Sequence, residues 1–345
     1  MCYTTLEIRI NMKKCLIPLL ITLVLVSCAS PTAGIPETTT PEPPIPQTTA
    51  PPGPTKNPGE IAFEHMKSIA NEIGSRPAGT EKESQTAQYI VNSLEELGYT
   101  PETQPFTVTG NNGIVNSANV IAVKQGLSPQ EIIVGAHYDS VQVGTGADDN
   151  ASGVGVLLET AERIKDISTP YTIRFILFGA EEIGLEGSKS YAGQMTEQQV
   201  QNTISMINLD SLTAGDVAYV YGDTGDQGVI RDWALAFAKS QNLDLQTQPG
   251  ANPDYPPGTT GDWSDHASFK ALGIPYTYFE STNWTLGDKD GYTQVSPEYG
   301  VDGEIWHTKY DTLEYIDKKF PGRIQERLNL FVIVLEGILT EYQTA

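Results

Sequence analysis

Cysteine and basic residues are scarce in this 345-residue chain. All three cysteines lie within the first 28 residues, so disulfides and cysteine-rich zinc sites are excluded from the remaining chain. Only 21 basic residues stand against 43 acidic ones, and the formal net charge is -22. Because nucleic-acid binding needs a basic surface that follows the phosphates, we expect no nucleic-acid partner.

Several common catalytic motifs are also absent. The sequence contains no H-E-x-x-H, no G-x-S-x-G, and no complete G-x-G-x-x-G or Walker loop. Of the four histidines, His65 lies in a helix-like pattern and is interpreted as a packing residue. The 39% of hydrophobic residues and the 32 glycines are typical of a globular protein.

The N-terminal segment has the pattern of an export signal. Two lysines precede an apolar run over residues 15–26, which is too short to span a bilayer. The run ends in LVSC and resembles a bacterial lipobox, in which Cys28 carries the lipid. We therefore expect residues 1–28 to be a lipoprotein signal peptide, with Met12 as the better start. The alternative is an ordinary signal peptide that is cleaved near Ala29.

Residues 29–58 are rich in proline and threonine and poor in large apolar side chains. Such a segment cannot bury a core, so we expect a disordered tether. The resulting prediction is an extracytoplasmic monomer that is anchored to the bacterial membrane through the lipid on Cys28.

Residues 59–345 alternate between helix-like and strand-like segments. Buried strands are predicted over residues 131–140, 171–182, 203–211, 216–222 and 273–281. Helices are predicted over residues 59–74, 80–98, 153–164, 184–195, 230–241 and 321–342. Continuous apolar strands separated by helices predict one three-layer α/β domain, whose mostly parallel central sheet is covered by helices on both faces.

The predicted strands end in residues that can bind metal ions. His137 and Asp139 follow one strand, Glu181 and Glu182 follow the next, and Asp210 follows a third. Ligands of such sheets bind beyond the carboxyl ends of the strands, so we expect these side chains to meet there. Taken singly, each has a simpler explanation as a helix cap or a solvated charge.

The available donors are imidazole and carboxylate groups. His137, His307, Asp149, Glu182 and Asp210 suit zinc, and manganese or cobalt are tolerated substitutes. Five such ligands hold two ions if one carboxylate bridges them. The acidic, glycine-rich segment 287–304 is interpreted as a solvated loop beside the cleft; calcium binding is the weaker alternative, because the segment lacks the full calcium-loop pattern.

Six motifs in order carry a family resemblance. They read GAHYDS, GADDNASG, FGAEEIGLEGSKSY, MINLDS, SDHASF and IWHTKYDT. They resemble the motifs of the co-catalytic zinc aminopeptidases, which include aminopeptidase Y and secreted bacterial aminopeptidases. The resemblance extends over about 59–345 and implies a zinc-exopeptidase-like fold.

The resemblance also implies a role for each candidate ligand. His137 and Asp210 would bind one zinc, and Glu182 and His307 would bind the other. Asp149 would bridge the two ions, and its peptide bond to the next residue would be cis.

Further roles concern residues around the metals. The resemblance implies that Glu181 is the general base and that Asp139 accepts a hydrogen bond from the His137 ring. His266 is expected in the wall of the site or in contact with a ligand, rather than among the ligands. Trp306 stands where some relatives carry a tyrosine that binds the reaction intermediate.

We therefore expect a zinc-dependent aminopeptidase that acts on peptides with free N-termini. Four aromatic residues, Tyr255, Trp263, Tyr276 and Trp306, are candidates for a pocket that accepts Leu, Met or Phe as the first residue. The alternatives are a glutaminyl cyclase-like transferase, a carboxypeptidase or aminoacylase of the same fold, and a binding lipoprotein without catalytic activity.

The lipobox interpretation makes a direct prediction. Cys28→Ser removes the thiol that would carry the lipid, so the precursor should stay unlipidated while the domain still folds. Membrane fractions labelled with a radioactive fatty acid measure this. Label that persists in the variant would contradict the assignment.

Overall fold

The computed structural model describes residues 56–110 and 113–344 of the chain. The signal peptide, Cys28 and nearly all of the predicted tether lie outside the described residues, so they remain predictions. Within the described part, no helix combines the length and the apolar character that crossing a membrane requires.

The strands and helices alternate along most of the chain. The strands are β1 (Glu102–Gly110), β2 (Gly113–Lys124), β3 (Ser128–His137), β4 (Tyr171–Phe178), β5 (Thr203–Leu209), β6 (Val217–Gly222), β7 (Leu245–Gln246) and β8 (Tyr276–Thr282). The helices are α1 (Glu60–Lys67), α2 (Glu81–Glu96), α3 (Gly153–Ile164), α4 (Glu186–Ala192), α5 (Glu197–Asn202), α6 (Val229–Ser240), α7 (His266–Lys270), α8 (Leu313–Lys319) and α9 (Arg323–Glu341).

The eight strands form one mixed sheet in the order β1-β2-β4-β3-β5-β8-β6-β7. The central strands β4, β3, β5 and β8 run parallel to one another. Antiparallel pairing is found toward the two sides, where β2 meets β1 and β4, and where β6 meets β8. The predicted α/β fold is confirmed, with parallel pairing concentrated at the centre of the sheet.

Both faces of the central strands are buried, as their continuous apolar sequences predict. On one face, Ile132 and Val134 of β3 belong to the large apolar core that α1, α3 and α9 cover. On the other face, Ile133 packs in a smaller cluster with Tyr191 of α4 and Phe269 of α7. Helices thus cover the sheet on both sides.

The β1–β2 hairpin is the main element that the sequence analysis did not predict. Residues of β1 alternate between exposed and half-buried, and the first residues of β2 are mostly exposed. A partly exposed edge strand needs no continuous apolar run, so the signal that identified the central strands is missing here.

A buried carboxylate joins the first helix to the third. Glu159 of α3 is fully buried, and it accepts hydrogen bonds from the backbone N–H groups of Gly59 (3.0 Å) and Ala62 (2.7 Å). It also pairs with Arg163 at 2.7 Å. The carboxylate thereby satisfies N–H groups at the start of α1 that lack partners within the helix.

Glu159→Ala should lower the free energy of unfolding by about 3–5 kcal/mol, because it leaves Arg163 and two helix N–H groups without their partner. Urea unfolding of the mature chain measures this. Glu162→Ala, on the same helix but half-buried, is the matched control and should change stability by no more than about 0.5 kcal/mol. Equal effects of the two substitutions would contradict the assigned role.

Candidate metal centre

The carboxyl ends of the central strands bring the predicted site residues to one edge of the sheet. His137 is the last residue of β3, and Asp210 directly follows β5. Glu181 and Glu182 follow β4 after a short turn. Because these strands are parallel neighbours, their side chains converge beyond the same edge.

Asp149 lies between the two candidate histidine ligands. Its Oδ1 atom is 3.1 Å from Nε2 of His137, and its Oδ2 atom is 3.2 Å from Nε2 of His307. Nε2 of His137 is also 3.3 Å from Oδ1 of Asp210, and Nε2 of His307 is 3.0 Å from Oε2 of Glu182. The five side chains therefore form two groups that share Asp149.

The peptide bond between Asp149 and Asn150 is cis, as expected. The Asn150 side chain donates to the carbonyl of Leu209 at 2.8 Å and accepts from the N–H of Gly153 at 2.9 Å. Asn150 thus joins the Asp149 loop to the end of β5 and to the start of α3.

Asp139 contacts the backbone of the two glutamates. Its carboxylate accepts hydrogen bonds from the N–H groups of Glu181 (2.9 Å) and Glu182 (3.2 Å). Nδ1 of His137 is 3.5 Å from Oδ1 of Asp139, which is longer than a normal hydrogen bond. The expected contact with the ring is therefore long, and the closer partners of Asp139 are two N–H groups.

The adjacent glutamates lie in two different trios of potential ligand atoms, which both contain His137 and so differ from the two groups that share Asp149. Glu181 lies with His137 and Asp210, and Glu182 lies with His137 and Asp149. Glu182 also accepts from the N–H of Val141 at 3.0 Å. In each trio the potential ligand atoms are within 4.8 Å of one another.

The SDHASF segment supplies two residues that the sequence analysis missed. The hydroxyl of Ser264 donates to Oδ2 of Asp210 at 2.7 Å. Asp265 is fully buried. Burial, together with the negative charge of Asp265, holds the pKa of Glu181 well above its usual range, and His137 opposes this shift. Both residues belong to the SDHASF motif, in which only His266 had been considered as a site residue.

The remaining histidines lie apart from the potential ligands. His266 packs against the rings of Tyr276 and Tyr278, at 4.7 and 4.9 Å between centroids, and lies within hydrogen-bond distance of the carbonyl of Gly261. Burial lowers the pKa of His266 to about 4. His266 is thus a packing residue next to the site. His65 contacts the hydroxyl of Tyr89 at 2.7 Å, which agrees with its interpretation as a packing residue.

A cavity of about 440 Å³ opens in front of the two groups. Of the four aromatic candidates, Trp263 and Trp306 line it, while Tyr255 and Tyr276 pack behind it. The wall also includes the buried Glu280, whose carboxylate accepts from the hydroxyls of Tyr221 (2.9 Å) and Tyr278 (3.0 Å). No sequence pattern had drawn attention to Glu280.

The charges of the centre fit divalent cations. Burial raises the pKa of Glu182 to about 7, and hydrogen bonds to Asp149 and Glu182 raise the pKa of His307 to about 12. The charge of Asp149 adds to the effect of burial on Glu182, and the carboxylates around His307 favour a positive charge among them. Imidazole and carboxylate donors without thiolate match a zinc site. In the described part of the chain, neither group of three potential ligands includes a residue of segment 287–304.

Two curated relatives resemble the chain in sequence. It is 36% identical over 318 residues to the alkaline phosphatase isozyme conversion protein of Escherichia coli K12, with 84% of this chain and 92% of the relative covered. It is 33% identical over 210 residues to aminopeptidase YwaD of Bacillus subtilis 168. That match covers 59% of this chain and 41% of the relative, so the chain spans less than half of YwaD.

Solved structures share the fold. A zinc aminopeptidase from Bacillus subtilis aligns with a TM-score of 0.66 at 19% identity, over 84% of this chain and 97% of that one. A glutaminyl cyclase from Porphyromonas gingivalis aligns with a TM-score of 0.61 at 22% identity, over 81% of this chain and 97% of that one.

The profile of Peptidase family M28 matches residues 119–332, which is more than half of the chain. This range contains every candidate metal ligand. The family resemblance of the six motifs is thereby confirmed, and so is the expectation of a hydrolase. The chain belongs to peptidase family M28 and is a metallo-exopeptidase.

Proposed function

We propose that this protein is a zinc aminopeptidase with two metal ions that removes residues from free peptide N-termini. The observation that carries the proposal is the position of Asp149, with one carboxylate oxygen near each candidate histidine. One acid shared between two groups of donors is the arrangement that two-metal hydrolytic sites use.

In this proposal each ion has its own pair of ligands. His137 and Asp210 would hold one zinc, Glu182 and His307 would hold the other, and Asp149 would serve as a ligand for both. Bound zinc supplies Lewis acidity, which makes water a better nucleophile near neutral pH and polarises a carbonyl group. Manganese or cobalt would serve as substitutes, because both accept the same nitrogen and oxygen donors.

Glu181 is the proposed general base. It lines the cavity, and both its backbone N–H and that of Glu182 are held by Asp139. From this position the Glu181 carboxylate accepts the proton of the attacking water and then donates it to the amine that leaves. Nearby cations lower the pKa of a carboxyl group, so the loaded site favours the ionised form that a base requires.

The acidic lining of the cavity supports the proposed preference for a free N-terminus. Asp262 and Glu280 line the cavity together with the carboxylates of the centre, and Lys189 is the one lysine in the described lining. A peptide with a free α-amino group brings a positive charge to this surface, whereas a blocked peptide leaves polar groups of the site unpaired.

A glutaminyl cyclase-like transferase remains the principal alternative, because solved cyclases share the fold. The hydrolase is favoured because all five candidate ligands are present and form two groups that share Asp149. A carboxypeptidase, an aminoacylase and a binding protein without activity are the other outcomes of the tests below. Measuring zinc per chain, together with pyroglutamate formation from Gln-Gly-Gly, separates the cyclase from the aminopeptidase.

Glu181→Gln should bind zinc as the wild type does but lose about 10²–10⁴-fold in kcat, because the amide cannot accept the proton. His137→Ala removes a ligand and should lower the zinc content itself. Metal analysis and peptide turnover on the same samples test both substitutions. Glu298→Gln, which is exposed, is the matched control. Loss of zinc from Glu181→Gln, or full activity, would show that the roles of the two glutamates are wrongly assigned.

The expected substrate class can be tested with X-Gly-Gly peptides in free and N-acetylated form, where X is Leu, Phe, Lys or Glu. Release of X from free peptides only is the expected result, since the acetyl group removes the charge that the cavity recognises. Cleavage of the acetylated forms, or release of the C-terminal glycine first, would favour the acylase or the carboxypeptidase. The varied first residue keeps the test independent of side-chain preference.

A further inference from the structure

Three buried residues connect the loops that carry the candidate metal ligands, although none of the three is a candidate ligand. They are Asp148, Gln294 and Asp311, with exposed fractions of 0%, 0% and 2%. We refer to them as the buried polar network. Their hydrogen bonds hold backbone groups before His307, at Asp149 and after Asp210.

Gln294 holds the segment that precedes His307. Its Oε1 atom accepts from the backbone N–H groups of Ile305 (2.9 Å) and Trp306 (2.8 Å). Because a backbone N–H can only donate, these two contacts fix the orientation of the amide. The Nε2 atom of Gln294 therefore faces Asp148, and it donates to Oδ2 of Asp148 at 2.7 Å.

Asp148 continues the network toward the loop that follows Asp210. Its Oδ1 atom accepts from the N–H (2.6 Å) and the hydroxyl (2.9 Å) of Thr213, and from the N–H of Ala214 (2.9 Å). The two oxygens of Asp148 thus have separate partners. One binds the loop after Asp210, and the other binds Gln294.

Asp311 adds the third loop. Its carboxylate accepts from the N–H groups of Asp148 (2.6 Å) and Asp149 (3.2 Å). Asp311 lies four residues after His307, so the segment that carries His307 also holds the backbone of the shared acid. All three loops are therefore joined by side chains that are not candidate metal ligands.

Among the five candidate ligands, His307 has the most exposed side chain. Its side chain is 48% exposed, and its ionic partners among the described residues are Asp149 and Glu182. Its backbone has φ of 55°, a left-handed conformation that is uncommon outside glycine. A ligand with little packing around it takes its position from the backbone that precedes it, and Gln294 holds that backbone.

We propose that Gln294 is a positioning residue for the metal ion on the His307 side, and that it acts through its hydrogen bond to Asp148. This inference deepens the proposed function and rests on it. Partners beyond the ligands typically change metal affinity by about 10–100-fold when they are lost.

An exchange of donor and acceptor tests the proposal. In Asp148→Asn the new side-chain oxygen still accepts from Thr213 and Ala214. The new NH2 group, however, faces the NH2 group of Gln294, so two donors oppose each other. In Gln294→Glu the new carboxylate keeps the two backbone contacts but faces the carboxylate of Asp148. The double variant restores one donor opposite one acceptor, and it keeps the net charge of the wild type.

Zinc affinity on the His307 side should fall about 10–100-fold in each single variant and return close to the wild-type value in the double variant. If only the net charge mattered, Gln294→Glu would raise the zinc affinity instead of lowering it, because it adds a negative charge near the centre. Competition with a chelator measures the affinity, and His307→Ala identifies which binding step belongs to that side. The absorption spectrum of the cobalt-loaded protein reports ligand geometry independently of activity.

Gln248→Glu is the matched control. Gln248 is another fully buried glutamine, and it donates to the carbonyls of Pro256 and Thr259. This substitution should lower the urea midpoint of the metal-free protein and leave zinc affinity unchanged. A general loss of packing would instead affect Gln248→Glu and the Gln294 variants alike.

Amide hydrogen exchange tests the same proposal in the wild-type protein, without any substitution. The amides of Ile305 and Trp306 should be protected in the metal-free protein, because Gln294 holds them before zinc binds. Rapid exchange of both amides until zinc is added would overturn the proposal, as would wild-type zinc affinity in Asp148→Asn. A wild-type chain that binds no zinc would overturn the proposed function as well, so the two failures are distinguishable.

Discussion

The repulsion among carboxylates at one edge of the sheet is the constraint on which the site depends. Four acids, Asp149, Glu181, Glu182 and Asp210, lie in the two trios of potential ligands, and Asp265 is a further, fully buried acid beside them. Burial penalises each charge, and proximity penalises each pair. Protonation relieves this repulsion, as the raised pKa values of Glu181 and Glu182 indicate, and bound cations would relieve it without protonation. The fold accordingly places rigid strands, rather than mobile loops alone, behind most of the acids.

Much of the centre was predictable because its residues follow strands that the sequence marks clearly. The apolar sequences of β3, β4 and β5 identify buried neighbours, and the residue after each strand must then lie at the carboxyl edge. His137, Asp210 and the two glutamates are brought together for this reason. Asp149 and His307 lie on loops, and their placement was expected only from the family resemblance.

Other features left no local signal. The β1–β2 hairpin is partly exposed, so it lacks the apolar run of the central strands. The contact of Asp139 with two backbone N–H groups is a matter of tertiary geometry, which residue spacing does not encode. Gln294 lies in an acidic, glycine-rich segment that suggested a solvated loop or calcium, yet its side chain is fully buried. Only the folded chain shows which residues of that segment, Gln294 and Val295 among them, are buried.

The candidate ligands extend from His137 to His307, and the first and last helices of the described domain also touch. The side-chain amide of Asn329 in α9 donates to the carbonyl of Pro58 at 3.1 Å, next to the start of α1. Contacts between residues so distant in sequence form slowly during folding. A ribosome that has not yet synthesised His307 therefore holds a chain without a complete centre. On the proposed assignment, zinc binding at the complete centre, and the activity that depends on it, require a chain that extends at least to His307.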